Sequence, residues 1–243
     1  MSLLQALASD ASIANETDSL GSSVVDSGLY LCTVAMAYIN KASSGALGLV
    51  LTLKGPTGRD IRQTLWMTSG TAKGGNNYYT DKNGEKKFLP GFLHANSLAL
   101  LTTGKEISQL DTETKVLNIY SAEAKAEVPT KAEVVMDLLG KEILVGIIKQ
   151  TVDKTQKNDQ GVYMPTGETR EENEIDKMFR ATDRMTTAEI RAQAPEATFA
   201  SAWETKWAGK TKDRSKGVAA NSGTFGAPKA AAGTKKPAAS LFG

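Results

Sequence analysis

The sequence contains a single cysteine and a single histidine among its 243 residues, and both shortages restrict its chemistry. Cys32 has no second cysteine with which to form an intramolecular disulfide bond, as is usual in proteins of a reducing compartment. One cysteine and one histidine cannot supply the four ligands of a structural zinc site. No nucleophile motif accompanies His94, so a histidine-based catalytic triad is not indicated, and we interpret His94 as a structural residue at a helix start.

Long apolar runs are also missing. None reaches the roughly 20 residues that a membrane-spanning helix needs, and the first ten residues lack the basic opening of a signal peptide. Residues 70–75 resemble a phosphate-binding loop only loosely, because they lack its Gly-Lys-Ser/Thr order. We therefore expect a soluble, cytoplasmic protein that has no membrane partner and does not hydrolyse nucleotides.

One acidic cluster could hold a divalent metal ion: Glu168, Glu171, Glu172, Glu174 and Asp176. Such a run is more often the solvated face of a helix, because acidic side chains usually stay exposed. We therefore predict a non-enzymatic protein with no catalytic residues, no metal and no other cofactor.

The charge is unevenly distributed. The whole chain carries +2, yet residues 210–243 hold seven lysines and arginines against one aspartate, a net +6 that leaves −4 for the rest. This basic end is composed mostly of Ala, Gly, Lys, Ser and Pro, and it cannot bury enough apolar surface to become ordered. Such an asymmetry indicates a polyanion or an acidic protein as the partner.

Apolar and β-branched runs alternate with turn residues over much of the chain, which predicts strands. The predicted strands are 29–38, 46–53, 61–67, 115–120, 142–152 and 161–164. The dipeptide Asn83-Gly84 predicts a further small hairpin between residues 78 and 88. Helical spacing and capping boxes predict helices over 94–101, 103–110, 129–140, 169–180, from 186 onward, and over 199–207.

This order of elements predicts a mainly β protein with helices, best matched by an OB-fold-like small Greek-key barrel with a C-terminal helical extension and a disordered basic tail. An SH3-like barrel or a compact α+β domain is the alternative. The predicted parts are a flexible N-terminal arm (1–27), an OB-like nucleic-acid-binding barrel (28–165), a helical extension packed on the barrel (166–208), and a disordered tail with a hydrophobic tip (209–243).

The segment 66–92 holds five of the fifteen aromatic residues, interleaved with lysines and glycines. Aromatic faces stack on nucleobases and cations neutralise phosphates, so this pattern is typical of a surface that binds single-stranded nucleic acid. We predict stacking by Trp66, Tyr78, Tyr79 and Phe88. We predict phosphate contacts by Arg59, Arg62, Lys73, Lys82, Lys86 and Lys87. The alternative is that Phe88, Leu89 and Phe92 anchor the loop to the helix that follows.

Two further features carry alternatives. Phe199, Trp203 and Trp207 lie four residues apart on one helix face, where they either pack on the barrel or form a second stacking platform. The tail is either a plain solubilising extension or a tether. In the second interpretation Lys235 and Lys236 contact nucleic acid, while Leu241 and Phe242 dock into a partner.

Several segments resemble the single-stranded DNA-binding proteins of schitovirus-type bacteriophages. They are Trp-Met-Thr-Ser-Gly-Thr-Ala-Lys-Gly at 66–74, Lys-Phe-Leu-Pro-Gly-Phe at 87–92, Glu-Ala-Lys-Ala-Glu-Val-Pro-Thr at 123–130, Gly-Glu-Thr-Arg-Glu-Glu-Asn-Glu-Ile at 167–175 and the terminal Ser-Leu-Phe-Gly at 240–243. The resemblance implies an OB-fold-type protein of phage DNA replication and recombination, with a role in transcription as an extension, acting in the host cytoplasm. The tail departs from the acidic tails of many single-strand binders, which puts their electrostatic autoregulation in doubt.

We therefore predict a sequence-independent single-stranded DNA-binding protein whose tail contacts replication, recombination or RNA polymerase proteins. The alternative is an adaptor module that recruits a polymerase or recombinase without binding DNA. A third class is a metal-dependent enzyme that uses the acidic cluster. Oligomeric state and site size do not follow from the sequence.

Overall fold

A computed structural model describes residues 24–55, 58–121, 123–159 and 162–216. Most of the predicted N-terminal arm and the tail beyond residue 216 lie outside these ranges. The strands are β1 Gly28–Lys41, β2 Leu47–Lys54, β3 Asp60–Trp66, β4 Tyr78–Thr80, β5 Lys86–Phe88, β6 Glu113–Ser121, β7 Ala126–Val134, β8 Glu142–Lys157, β9 Tyr163–Phe179 and β10 Thr211–Asp213. The α-helices are α1 Pro90–Thr103, α2 Thr187–Arg191 and α3 Phe199–Trp207.

Eight of these strands form one antiparallel sheet, and β4 and β5 form a separate two-stranded ribbon. The sheet runs in the order β10-β8-β1-β2-β3, with β9 paired to β8 and the β6–β7 hairpin joined to β1 through β7. Within the described ranges β3 pairs with β2 alone, which leaves that edge open. The protein is mainly β with helices, as predicted, and its antiparallel sheet does not close into a barrel.

The chain divides into two compact units. Among the described residues, the first comprises 24–150 and 172–212, and the second comprises 151–171 and 213–216. The second unit contains the distal parts of β8 and β9, where Lys154 forms an ion pair with Glu168 at 2.8 Å.

The core of the first unit follows from the two-residue period of its strands. Leu49, Leu51 and Leu53 of β2 all point to the face covered by α1, and each is completely buried. The opposite face carries two smaller clusters. One packs the β6–β7 hairpin on Tyr38 and Val50, and the other packs α3 on Ile148 and Phe179.

The strands predicted over 29–38, 46–53, 61–67, 115–120 and 142–152 are confirmed as parts of β1, β2, β3, β6 and β8. The Asn83-Gly84 hairpin is confirmed as the turn between β4 and β5. The helix predicted over 94–101 is confirmed as part of α1, which begins earlier because Pro90 suits the first helical turn. The capping box of Thr186 and Glu189 and the helix over 199–207 are confirmed as well.

Three predicted helices are wrong. The largest error is 169–180, part of the predicted helical extension, which instead belongs to the 17-residue strand β9. Residues 129–140 form the end of β7 and a short 3₁₀ turn at Met136–Leu138, and 103–110 contains only a 3₁₀ turn at Ile107–Gln109. In the first two cases the preceding strand, β8 or β6, pairs with the segment and supplies backbone hydrogen bonds, which outweighs local helix propensity.

No helix in the described part of the chain is long and apolar enough to cross a membrane.

Trp203 holds α3 against the sheet. Its side chain is 3% exposed, and its indole N–H donates to the Asp176 carboxylate at 2.7 Å. The ring lies directly over Gly146 of β8, where an added Cβ would come within 2.9 Å of the indole. The ring also meets Phe179 edge-on, with 6.5 Å between the ring centroids.

We expect Trp203→Ala to lower the free energy of unfolding by about 3–5 kcal/mol, because it empties a buried aromatic site and leaves the Asp176 carboxylate without its donor. Urea denaturation followed by circular dichroism measures the change. Ser201→Ala, at an exposed position of the same helix, is the control and should change stability by less than about 0.5 kcal/mol. Equal effects of the two substitutions would contradict this role of Trp203.

Candidate nucleic-acid interface

The segment 66–92 leaves the sheet at the end of β3 and returns at α1. Backbone hydrogen bonds hold its first turn closed, from the Ser69 amide to the Asn76 carbonyl at 2.8 Å and from the Thr71 amide to the Ser44 carbonyl at 2.8 Å. Gly74 and Gly75 both have a positive φ, which other residues rarely adopt, and they reverse the chain before β4. The segment is therefore an ordered loop that presents a ribbon.

The register of the β4–β5 ribbon sorts its side chains onto two faces. Tyr78 lies opposite Phe88, and Tyr79 lies opposite Lys87. Because side chains alternate along a strand, Tyr78, Phe88 and Lys86 share one face while Tyr79 and Lys87 share the other. The prediction that the two tyrosines point in opposite directions is confirmed, and Tyr79 is exposed over 46% of its surface.

The ribbon face with Tyr78 combines aromatic rings and a cation. The Lys86 Nζ lies 4.8 Å from the centroid of the Tyr78 ring, a cation–π distance. Phe88 is 51% exposed, and its ring lies 5.0 Å from that of Phe92. Phe92 is half-buried against the main core, and it lines a cavity of about 390 Å³ beneath the loop. Phe92 thus anchors the loop, as the alternative proposed, whereas Phe88 stays accessible.

On the other face, carboxylates already neutralise Lys87. Its Nζ lies 2.5 Å from the Asp81 carboxylate and 3.3 Å from the Glu85 carboxylate. Asp81 also accepts hydrogen bonds from the backbone amides of Asn83 and Glu85, so it closes the turn. The hydrogen bond from Lys87 is the main reason why the pKa of Asp81 lies below its ordinary value, and the same bond raises the pKa of Lys87.

Lys86 has no such partner: among the described residues it forms no ion pair, and its Nζ lies over the Tyr78 ring. Lys73 and Lys82 are exposed, on the 3₁₀ turn Thr71–Lys73 and on the ribbon turn. The predicted phosphate-binding lysines therefore fall into two groups, with Lys87 engaged internally and the other three open to solvent.

Arg62, Thr64 and Trp66 lie on the outward face of β3, and Arg62 and Trp66 are exposed there. Trp66 is 43% exposed and lies across Gly48 of β2, where a Cβ would come within 2.9 Å of the indole. Its backbone packs on Gly91 of α1, where a Cβ would come within 2.2 Å of the Trp66 carbonyl oxygen. Glycine at 48 and 91 thus lets β2 and α1 approach Trp66.

The arginines are less available than the exposed lysines. Arg62 donates a hydrogen bond to the Tyr38 hydroxyl at 2.9 Å, so its guanidinium lies at the edge of the cluster under the β6–β7 hairpin. Arg59 is half-buried in the turn before β3 and has an interaction of its own. Lys235, Lys236, Leu241 and Phe242 lie outside the described residues.

Aromatic–cation pairs that the sequence prediction did not select occur elsewhere. In the first unit, Lys206 and Lys212 flank Trp207, and Lys177 lies against Phe199. In the second unit, Lys157 lies 5.3 Å from the ring centroid of Tyr163, which is 63% exposed. The lysines at 206 and 212 could have been found next to Trp207 in the sequence. Lys177 and Tyr163 could not, because they depend on the strand conformation of β9.

The acidic cluster does not form a metal site. It lies on β9, where each of three carboxylates has its own partner: Glu168 binds Lys154, Glu172 accepts from Gln150, and Asp176 accepts from Trp203. Throughout the described ranges, no group of three or more His, Cys, Asp or Glu residues could hold a metal ion.

Cys32 is buried, and His94 is half-buried where α1 meets β9. His94 Nε2 donates to the Asp176 carbonyl oxygen at 3.0 Å, and burial is the main reason why the pKa of this imidazole is lowered. Burial raises the pKa of the Cys32 thiol to about 11, so it stays protonated at neutral pH. Cys32 is therefore part of the core, and His94 joins α1 to β9 through its hydrogen bond to Asp176.

No family model matches the chain, and no curated protein matches it either.

The Asp81–Lys87 pair makes the ribbon turn sensitive to acid. Because the pKa of Asp81 is depressed in the folded protein, its stabilising contribution is complete above the unfolded pKa of about 3.9 and is lost as the pH falls through the folded pKa. We expect NMR titration of the Asp81 carboxyl carbon to give a midpoint below 3.9. Lys87→Met should raise that midpoint, and an unchanged midpoint would show that the ion pair does not form in solution.

Proposed function

We propose that the protein binds single-stranded DNA largely without regard to sequence, through the β4–β5 ribbon and the adjoining outward face of β3. The observation that carries this proposal is the ribbon register, which collects Tyr78, Phe88 and Lys86 on one face. Stacking on aromatic rings tolerates any base, and lysines beside the rings meet the phosphates. Trp66, exposed where β3 ends, extends the surface toward the sheet.

The resemblance to phage single-stranded DNA-binding proteins supports the same proposal. The resemblance further implies that the antiparallel sheet is of the OB-fold type and that the protein acts in phage DNA replication and recombination. It also implies that the basic tail contacts proteins of those pathways. Lys73 and Lys82 suit phosphate contacts, because both are exposed in turns next to the ribbon. Arg59, Arg62 and Lys87 contribute less, because each already has a partner in the protein.

The direct test is a titration of the full chain with oligo-dT at low salt, followed by tryptophan fluorescence or anisotropy. We expect log affinity to fall linearly with log salt, with a slope of about −0.7 per neutralised phosphate. Double-stranded DNA of the same length should bind more weakly, since paired bases cannot stack on the ribbon. A protein that binds neither form at low salt would overturn the proposal and favour the adaptor function.

The two faces of the ribbon should differ in their contribution to DNA affinity. We expect Tyr78→Ala combined with Phe88→Ala to weaken binding by about 1–3 kcal/mol per stacked base lost, because both rings share a face with Lys86. Tyr79→Ala alone should have a smaller effect. Tyr120→Ala is the control, because Tyr120 is 59% exposed on β6 and belongs to neither ribbon strand. If the control weakens binding as much as the double substitution, the site is misassigned.

Two adjacent lysines provide a matched test of charge availability. We expect Lys86→Ala to make the salt slope shallower by about 0.7, since it removes a cation that is free to meet a phosphate. Lys87→Ala should change the slope by much less, because Asp81 and Glu85 already neutralise that charge. Anisotropy titrations at four or more salt concentrations give both slopes. The reverse order would mean that DNA displaces the carboxylates from Lys87.

A further inference from the structure

A groove beside α3 carries a second set of aromatic and basic side chains. It has a volume of about 440 Å³ and lies wholly within the first unit. We call this surface the α3 groove; its lining includes Phe199, Trp203, Trp207, Lys177, Lys206 and Lys212.

Each accessible ring in the α3 groove is accompanied by at least one lysine. The Nζ atoms of Lys206 and Lys212 lie 5.0 and 5.6 Å from the centroid of the Trp207 ring. The Nζ of Lys177 lies 5.8 Å from the centroid of the Phe199 ring. These distances are typical of cation–π contacts, and they place positive charge where a base stacked on either ring would bring its phosphate.

Packing of α3 covers these two rings only in part. Trp203, midway between them, is buried against Gly146 and Phe179. The Phe199 ring lies 6.3 Å from the Phe179 ring, and Trp207 packs at the edge of the same cluster. Phe199 is 41% exposed and Trp207 is only half-buried, although both are large apolar side chains. Asp176, which also lines the groove, is engaged by the Trp203 indole. Lys212 is paired with the Glu174 carboxylate at 3.6 Å, whereas Lys177 and Lys206 form no ion pair among the described residues. The accessible part of the groove therefore combines aromatic rings with the cations of Lys177 and Lys206.

The α3 groove is also continuous with the surface that leads to the ribbon. A neighbouring cavity of about 350 Å³ shares Lys177 and Phe199 with the groove. Its other side is lined by Pro90 and Leu93 of α1, and Leu93 is 47% exposed. Pro90 follows the last residue of β5, Phe88, by only two positions. An apolar and basic track therefore runs from the ribbon, past the start of α1, to α3.

We propose that the α3 groove is a second contact site for the single strand held by the ribbon. Bases stack on Phe199 and Trp207, and phosphates meet Lys177 and Lys206. The inference rests on the proposed function, because it extends the path of the same DNA strand. A short oligonucleotide contacts the ribbon alone, so only longer strands reach the α3 groove.

The experiment compares oligo-dT of about 4 to 30 nucleotides, a range that spans the site sizes of single-strand binders. We expect Phe199→Ala with Trp207→Ala to weaken binding of the long oligonucleotides by roughly 5- to 150-fold per stacked base lost. Binding of the shortest oligonucleotides should not change. The number of nucleotides covered per protein should fall. Ser201→Ala, on the same helix, serves as the control and should alter neither quantity.

A charge variant keeps the test valid if removal of two aromatic rings destabilises α3. We expect Lys177→Gln with Lys206→Gln to leave the thermal unfolding midpoint unchanged and to make the salt slope shallower for long oligonucleotides, by up to about 0.7 per lysine. Wild-type behaviour of both variants on long strands would overturn the α3 groove as a DNA site and leave the ribbon proposal standing. Failure of the unmodified protein to bind any oligonucleotide would instead overturn the proposed function itself.

Discussion

The pairing of β1 with three other strands is the constraint on which the first unit depends. Along one edge β1 pairs with β2 from Thr33 to Lys41, with a bulge between Val34 and Met36. Along the other edge it pairs first with β8 and then, at Tyr38 and Ile39, with β7. A bulge bends a strand and increases its twist, so β1 can serve two partners in succession on that edge. Both faces of the sheet acquire buried clusters through this strand.

The candidate binding surface adjoins β3, at one edge of the sheet. Because β2 pairs with β1 in a fixed register, β3 is held at the edge of the sheet with Trp66 at its end. Gly91 then packs α1 on the Trp66 backbone, which sets where the ribbon leaves the sheet. The loop is long, but it is held at both ends, and a held loop loses less conformational freedom when it binds a ligand. This is a physical reason for placing a stacking surface there.

The charged groups of the ribbon show why sequence composition overstates the positive charge that a surface offers to DNA. The lysines at 86 and 87 are adjacent, yet the strand alternation turns them to opposite faces. One lies over the Tyr78 ring and the other is held by Asp81 and Glu85. An exposed ion pair adds little to the stability of the protein. The lysine in that pair is, however, no longer free to neutralise a DNA phosphate and release its counterion. Charge in the sequence is therefore an upper limit on charge at the interface.

Some features follow from the sequence because they depend on neighbouring residues only. The Asn83-Gly84 turn, the capping box at Thr186 and the helical spacing of 199–207 are local patterns, and the structure has all three elements where they were predicted. The chemistry that one cysteine and one histidine exclude is likewise a matter of composition. Tertiary structure alone decided that 169–179 is a strand, because pairing with β8 supplies hydrogen bonds that the local sequence pattern does not show. It also decided that Trp203 is buried while Trp207 is accessible, since burial depends on which distant residue, here Gly146, lies beneath the ring.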